Sequence, residues 1–495
     1  MPDRDVTSFD FISPLDARYY GTDKSFFDAL HPYLSEQATL TYQLKVEQAI
    51  VAELEQMGVA PPGASALVAQ AVSKITPADI YAQEQRIQHN IRALVNCIRE
   101  RLPAKVCGYV HLFATSNDIM DTARSVALRD ACREVVVPDL YALIRTIIAR
   151  ARDYAGTIQI GRTHGRYAEP ITVGYWLANY VERLGTRAEL IVRTAGDLRG
   201  KFSGSVGAHN ALALNWPDDP AAFESRMLSR LGLRPSDNCI STQVVHAERL
   251  TDLGHALVST YSVFANLADD FRHLMRSEID ELQEMVDAAR VGSSTMPHKV
   301  NPKNFENVKS LWKAFMPRMI TLYLDQVCEH QRALTNSASG RFFNELLAIV
   351  DYAARRLRAA IEQTDVCPEA IDRNLSASSD WIVAEPLYIA LALDGHPDPY
   401  GASRSLVVQA RERGEGLLTF LTTNDEAQKV LARLTPVHRE IVLDPRKYIG
   451  DAEVRTRLVC DAWEAKLDHE RLAEALSRPP EHQALVVHAE DPGHE

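Results

Sequence analysis

The chain has no long apolar run, no paired cysteines, no excess of positive charge and little that reads as β-strand. No stretch of its 495 residues approaches the ~20 consecutive apolar residues that a membrane-spanning helix needs. The first residues, MPDRDVTSFDF, are acidic and hold no apolar centre, so they do not read as a secretory signal. Seven cysteines are scattered without a CxxC pair, and an odd number makes a poor disulfide framework. They read as small buried apolar residues in a reducing, cytoplasmic setting. With 54 basic against 66 acidic residues the formal charge is −12, which argues against nucleic-acid and membrane-surface partners. A pocket for a small anion stays open to such a chain, because a few arginines and lysines can dominate one cavity. HExxH, the Walker loop and GxGxxG are also missing.

What the chain does contain is length and helix. A composition of 46% hydrophobic and 24% charged residues supports a large core, and the length suggests about three domains. Apolar residues recur three and four apart over most of the sequence, so the expected fold class is all-α. The longest such pattern covers residues 250–285, from Leu253 through Phe264, Phe271 and Leu282 to Met285. One helix of that length would measure about 50 Å and would suit the spine of a bundle or an oligomer core. Similar patterns fill 123–154, with Pro138 as a kink, 173–197 and 342–363. Expected boundaries give an N-terminal helical domain over 1–112, a central long-helix bundle over 113–364, a C-terminal helical domain over 365–478 and a disordered tail over 479–495.

Three irregular stretches rich in glycine, proline and hydroxyl residues interrupt this pattern and read as loops or helix starts. They are ATSNDIMD (114–121), GRTHGRYAEP (161–170) and GSSTMPHKVNPKNFEN (292–307). Alone, the first makes a good helix N-cap, the second a structural histidine and the third a polar surface loop. Each also carries chemistry. In the third, Lys299 can lower the pKa of a neighbouring serine hydroxyl and stabilise charge developing on a carboxylate, with Asn301 adding donors. In the second, His164 brings an imidazole, a side chain suited to proton transfer, beside Thr163 and Arg162. In the first, Thr115, Ser116 and Asn117 offer hydroxyls and an amide to a carboxylate.

Together the three stretches resemble the signature regions of the fumarase/aspartase superfamily, whose members release fumarate from substituted succinates. GSSTMPHKVNP is the most specific of them. Within the superfamily the chain is most similar to the adenylosuccinate lyases, over about residues 11–478. Further support comes from Ser13-Pro14-Leu15-Asp16-Ala17-Arg18-Tyr19, Ser241-Thr242-Gln243-Val244, QRALTNSASGR (331–341) and Ala384-Glu385-Pro386.

The resemblance implies a three-part helical subunit that works as a homotetramer, each active site drawing its three regions from three chains. It implies no metal and no organic cofactor. Ser293 matches the base that removes the proton beside the β-carboxylate, and His164 the acid that protonates the leaving nitrogen. His89 matches a second active-site histidine that helps hold the substrate. Lys299, Asn301, Thr115, Ser116, Thr163 and Gln243 match residues gripping the succinyl part. Arg18, Tyr19, Arg332, Ser337 and Arg341 match the nucleotide-phosphate contacts. Such an inventory suits β-elimination, which needs a base, an acid on the leaving group, and fixed donors around the carboxylate that takes up the carbanion's charge.

Three departures fall near the nucleotide. Relatives usually have His-Asp where this chain has His89-Asn90, and often threonine where it has Ile87. Their Arg-Asp-Leu-Thr reads Arg332-Ala333-Leu334-Thr335 here. The elimination residues show no such change. The alternative substrate is therefore a smaller substituted succinate such as nitrosuccinate, giving nitrite and fumarate. Two rivals are less consistent with the residues. An inactive protein on the same scaffold would not need Ser293, His164 and Lys299. A metal centre on His89, His111 and His164 would lack the short paired spacing of common zinc sites.

Overall fold

The computed structural model describes residues 10–21, 23–285, 295, 296, 298–327, 329–331 and 335–467. The tail expected over 479–495 lies outside them, as do Ser293 and Arg332. Helices α1 (Lys24–Leu34), α2 (Glu36–Gln56), α3 (Ala64–Val72), α4 (Pro77–Ile87), α5 (Asn90–Arg99) and α6 (Ala104–Cys107) come first. α2 to α6 close around an apolar cluster that includes Ile50, Leu54, Leu94 and Ile98 and extends to Phe202, Phe223 and Met227, while Phe26 and Leu30 of α1 pack with Val135 and Ala348. α7 (Ser116–Ala131) covers one side of that cluster.

α7 does not stop at its last residue. The chain passes through a π-helical stretch, Cys132–Val136, directly into α8 (Val137–Asp153). The N–H of Val137 reaches back five residues to the carbonyl of Cys132. Pro138, expected to kink this helix, falls in the first turn of α8, where its missing N–H does least harm. Across the junction the apolar stripe changes allegiance. Ala123, Val126 and Ala127 face the N-terminal cluster, whereas Leu128, Ala131 and Cys132 face the bundle.

The bundle is built from α8, α9 (Val173–Gly196), α12 (Glu248–Leu274), α13 (Lys303–Phe315) and α15 (Phe343–Glu362), with the short α10 (Asn210–Ala213), α11 (Ala221–Arg230) and α14 (Arg318–Asp325) beside it. Each long helix buries residues at helical spacing: Leu140, Ile144, Ile147 and Ala151 on α8, and Leu177, Val181, Leu184, Ala188 and Ile191 on α9. Burial of such stripes, more than intrinsic propensity, holds helices of this length. The expected helix over 250–285 is shorter than its pattern. α12 ends at Leu274, Asp280 takes a left-handed φ of +56°, and β3 (Leu282–Glu284) pairs antiparallel with β4 (Thr364–Val366). The cause is Glu281, fully buried, whose carboxylate takes donors from Arg162, Gln159 and Asn374. A helical turn would not bring it to all three.

α16 (Pro368–Ile382), α17 (Ala384–Leu393), α18 (Pro399–Glu412), α19 (Leu417–Thr423), α20 (Asp425–Arg433) and α21 (Pro436–Leu443) follow, and residues 383–442 form a separate apolar cluster. α22 (Ala452–Glu464) then returns to the bundle. Trp463 lies on Gly185 of α9, where a Cβ would sit 2.4 Å from its ring, and its indole N–H donates to Glu182 at 2.7 Å.

One buried charge in the bundle sets a pH dependence. Asp351 of α15 is fully buried, and Arg355 donates to it at 2.9 Å while also reaching Asp139 at 2.6 Å. Burial, then the charge of Asp139, push the Asp351 carboxyl up to about 8. The folded chain thus holds a proton that the unfolded chain has released, so stability falls as pH rises from about 4 to about 8. Asp351→Asn keeps the shape without the titration. Its melting temperature is expected to exceed the parent's by a few degrees at pH 8.5, the gap narrowing toward pH 5. Parallel melting curves across that range would contradict the assignment.

Candidate active site

The N-terminus of α7 presents the first signature stretch. Thr115 is its N-cap, and its backbone N–H donates to the Asp118 carboxylate at 2.8 Å. This arrangement leaves the first N–H groups of the helix, at Ser116 and Asn117, pointing outward with the positive end of the helix dipole behind them. Asp118 is fully buried. Burial pushes its carboxyl up, against the opposing pull of Lys201, whose ammonium donates to Asp118 and, at 2.7 Å, to the Gly204 carbonyl.

His89 is the N-cap of α5. Its Nδ1 accepts the Arg92 N–H at 3.2 Å, so the neutral ring carries its proton on Nε2. Asn90, one of the departures, uses its Oδ1 on the Ile91 N–H at 2.8 Å. The Gln243 segment is tied down on both sides: its own N–H donates to the Gln331 carbonyl at 3.2 Å, and the Val245 N–H donates to Asp121 at 3.1 Å. Asp121 also accepts from Arg124 at 3.2 Å.

These segments face one cavity of about 1300 Å³. It is walled by α1, α2 and α4, by α7, by the start of α12 and by residues 336–348. Of the residues named from the sequence, His89, Thr115, Ser116, Gln243, Ser337 and Arg341 line it, and Arg124, Arg199 and Arg249 add cations.

Thr163, His164, Lys299, Asn301, Arg18 and Tyr19 do not line it. The second stretch, expected to be a loop or helix start, is a β-hairpin. β1 (Ile158–Thr163) pairs antiparallel with β2 (Arg166–Thr172), and Thr163 faces Arg166 across a two-residue turn. His164 and Gly165 make that turn with φ of +53° and +71°. Two successive positive φ values are what the right-handed strand twist favours in so short a turn. Histidine there costs of order 1 kcal/mol relative to glycine, and such strain gathers at working sites. At the hairpin's root Arg162 forks onto Glu281 at 2.5 and 3.2 Å. Further along, Glu169 of β2 shares a hydrogen bond with Glu385, which raises the Glu385 carboxyl above its usual range. Tyr448 also donates to Glu385, at 3.3 Å.

Lys299 and Asn301 precede α13, and Tyr19 accepts from Asn307 of that helix at 3.3 Å. Phe305 of α13 stacks on Phe271, ring centroids 4.7 Å apart. Phe271 is twenty residues along α12 from the cavity-lining Thr251, a distance of about 30 Å. Within one chain the cavity and the third stretch thus sit toward opposite ends of the bundle.

Sequence reasoning missed the supporting ion pairs Asp118–Lys201, Asp121–Arg124 and Arg162–Glu281. Asp118 had a signal, since Thr-Ser-Asn-Asp fits a capping box, and Asp121 and Arg124 stand at the i,i+3 spacing of helical ion pairs; Lys201 and Glu281 are remote in sequence from their partners and had none. Among the described residues no three His, Cys, Asp or Glu side chains gather as metal ligands. The Nδ1 of His111 is 2.7 Å from the fully buried Glu47.

Comparison with known proteins adds to this geometry. The family described as "Lyase" matches residues 17–314, and "Adenylosuccinate lyase C-terminal" matches residues 328–443. The chain is 30% identical over 451 residues to the adenylosuccinate lyase of Pyrococcus abyssi, covering 89% of this chain and 95% of that one. It is 29% identical over 448 residues to that of Methanothermobacter thermautotrophicus, covering 89% and 96%. In fold it is similar to the fumarate lyase of Mesorhizobium sp. BNC1, with a TM-score of 0.75, 21% identity and coverage of 88% and 97%. It is likewise similar to the 3-carboxy-cis,cis-muconate lactonizing enzyme of Pseudomonas putida, with a TM-score of 0.74, 23% identity and coverage of 90% and 98%.

Proposed function

The chain belongs to the fumarase/aspartase superfamily of lyases, and from that premise we propose that it cleaves the C–N bond of an N-substituted aspartate and releases fumarate, with adenylosuccinate as the substrate and AMP as the second product. The observation that carries the choice of substrate is that Ser337 and Arg341, which match phosphate contacts, line the same cavity as His89, Thr115, Ser116 and Gln243. A four-carbon acid has no phosphate for them to hold.

In this reading Ser293, made basic beside Lys299, takes the proton from the carbon next to the β-carboxylate. The electron pair left behind spreads into that carboxylate, which Lys299, Asn301, Thr115, Ser116, Thr163 and Gln243 grip. The C–N bond then breaks as His164 gives its proton to the departing nitrogen. Arg18, Tyr19, Arg332, Ser337 and Arg341 hold the nucleotide phosphate, and His89 donates to the substrate through Nε2. Residues about 30 Å apart in one chain meet when several copies associate, so the working unit in this proposal is a homotetramer with shared sites.

The test is turnover of adenylosuccinate and of nitrosuccinate side by side, following fumarate. Fast release from adenylosuccinate alone is expected, with kcat/KM higher by at least ~100-fold. Turnover of nitrosuccinate alone would overturn the substrate and leave the elimination standing. It would also mean that Asn90 and Ala333 mark a dismantled nucleotide site.

A further inference from the structure

We propose that Lys201 is a positioning residue for the cavity, setting the Thr115–Ser116 edge and the Gln243 edge against one another. This rests on the reading above that those two edges grip the succinyl carboxylates. They come from segments more than 120 residues apart in sequence, and the loop that carries Lys201 lies between them. On one side its ammonium holds Asp118, the N3 residue that accepts the Thr115 N–H. Its own backbone N–H donates to Thr122 of α7 at 2.9 Å, and the Thr122 hydroxyl donates to its carbonyl at 3.0 Å.

On the other side the same loop is pressed onto the segment leading to Gln243. The Ser203 and Ser241 hydroxyls are 2.7 Å apart. Gly207, at φ +79°, passes so close that a Cβ would lie 2.2 Å from the Ser241 carbonyl oxygen. The loop is itself anchored from behind by Glu224, which accepts the Phe202 N–H at 2.7 Å and pairs with the His209 ring at 2.7 Å. Lys201 is 1% exposed and Asp118 fully buried, so neither touches substrate; they act through the backbone they hold. A lysine can be buried this way because the carboxylate and the Gly204 carbonyl replace its water.

The pairing has a measurable consequence separate from stability. Lys201→Met leaves Asp118 buried without a cation, and that variant will lose melting temperature whatever else it does. The double variant Lys201→Met/Asp118→Asn removes the uncompensated charge and restores folding, but not the link between the two edges. Ser203→Ala cuts only the second arm.

Two readouts distinguish positioning from mere structure: KM and kcat for adenylosuccinate, and amide hydrogen exchange over 116–118 and 243–245. In the double variant the melting temperature is expected to recover while KM stays at least ~10-fold raised, kcat falls less, and exchange in both segments is at least ~10-fold faster. Ser203→Ala should speed exchange at 243–245 alone. A double variant with the parent's KM and exchange would overturn the proposal, as would a single variant that loses stability with both unchanged. If the parent chain releases no fumarate from adenylosuccinate, the substrate assignment fails, and the exchange measurements alone decide the role of Lys201.

Discussion

Replacing Ser293 by alanine is expected to lower kcat by about 10³-fold or more, the upper part of what a positioned general base contributes. Melting temperature should stay within a degree or two of the parent's, since one hydroxyl is removed. A serine is a poor base in water, so the whole effect depends on its neighbours. Lys299 is the cation within reach in sequence, and Lys299→Met should be nearly as damaging because it loses both the pKa shift and the charge that receives the carbanion. The distribution of residues along the bundle adds a second expectation for the same variant. Ser293→Ala carries an intact cavity, and His89→Asn carries an intact third stretch. Asparagine at position 89 still accepts the Arg92 N–H as an N-cap, so that subunit keeps its fold. When the two inactive proteins are dissociated together and reassociated, fumarate release should reappear, because some sites then draw one good part from each. A mixture as inactive as its components would contradict shared sites, and full activity in Ser293→Ala alone would refute the role of the serine.

His164→Gln is the next largest expected loss, about 10²- to 10³-fold in kcat for adenylosuccinate. Glutamine can replace a hydrogen bond but cannot deliver a proton, and the nitrogen of a purine amine leaves poorly without one. The size of the loss therefore reports the leaving group. With nitrosuccinate the departing nitrite is stable as an anion, and the same variant should lose little. The backbone sharpens the experiment. Position 164 is the first residue of a two-residue turn with φ of +53°, a conformation that asparagine tolerates better than glutamine. His164→Asn is thus the variant to compare. If both are equally impaired, the lost proton is responsible; if only the glutamine variant is impaired, the turn has moved.

Helix positions were largely legible from apolar spacing. The patterns over 173–197 and 342–363 end within a residue of α9 (Val173–Gly196) and α15 (Phe343–Glu362). The failure at 250–285 is instructive, because Ile279, Leu282 and Met285 keep helical spacing outside any helix. Spacing records which residues are apolar and is blind to Glu281, a single buried carboxylate whose three partners come from β1 and α16. The hairpin at 158–172 was illegible for a related reason. His164-Gly165 is a short turn signal, but its strands carry Arg162, Arg166 and Glu169, which alternate poorly and read as loop. For the candidate site, His89, Thr115, Ser116, Gln243, Ser337 and Arg341 were named from the sequence and line the cavity, whereas Arg124, Arg199 and Arg249 on the same wall and most of the pairs behind it were not. Lys201 and Asp118 are 83 residues apart, and nothing in either neighbourhood announces the other.

The π-helical turn at Cys132–Val136 gives the long helix one residue more than its hydrogen-bond ladder needs. The widened turn takes up that residue, so the two flanks keep the phase they would have in an unbroken α-helix, and deleting it would leave Leu140, Ile144 and Ile147 on the bundle and Thr115 and Ser116 on the cavity. A deletion in the regular turns of α7 or α8 would instead rotate everything past it by about 100° and shift it by about 1.5 Å, taking one end off its partners. The junction is therefore where this long helix can change its length without changing its aim.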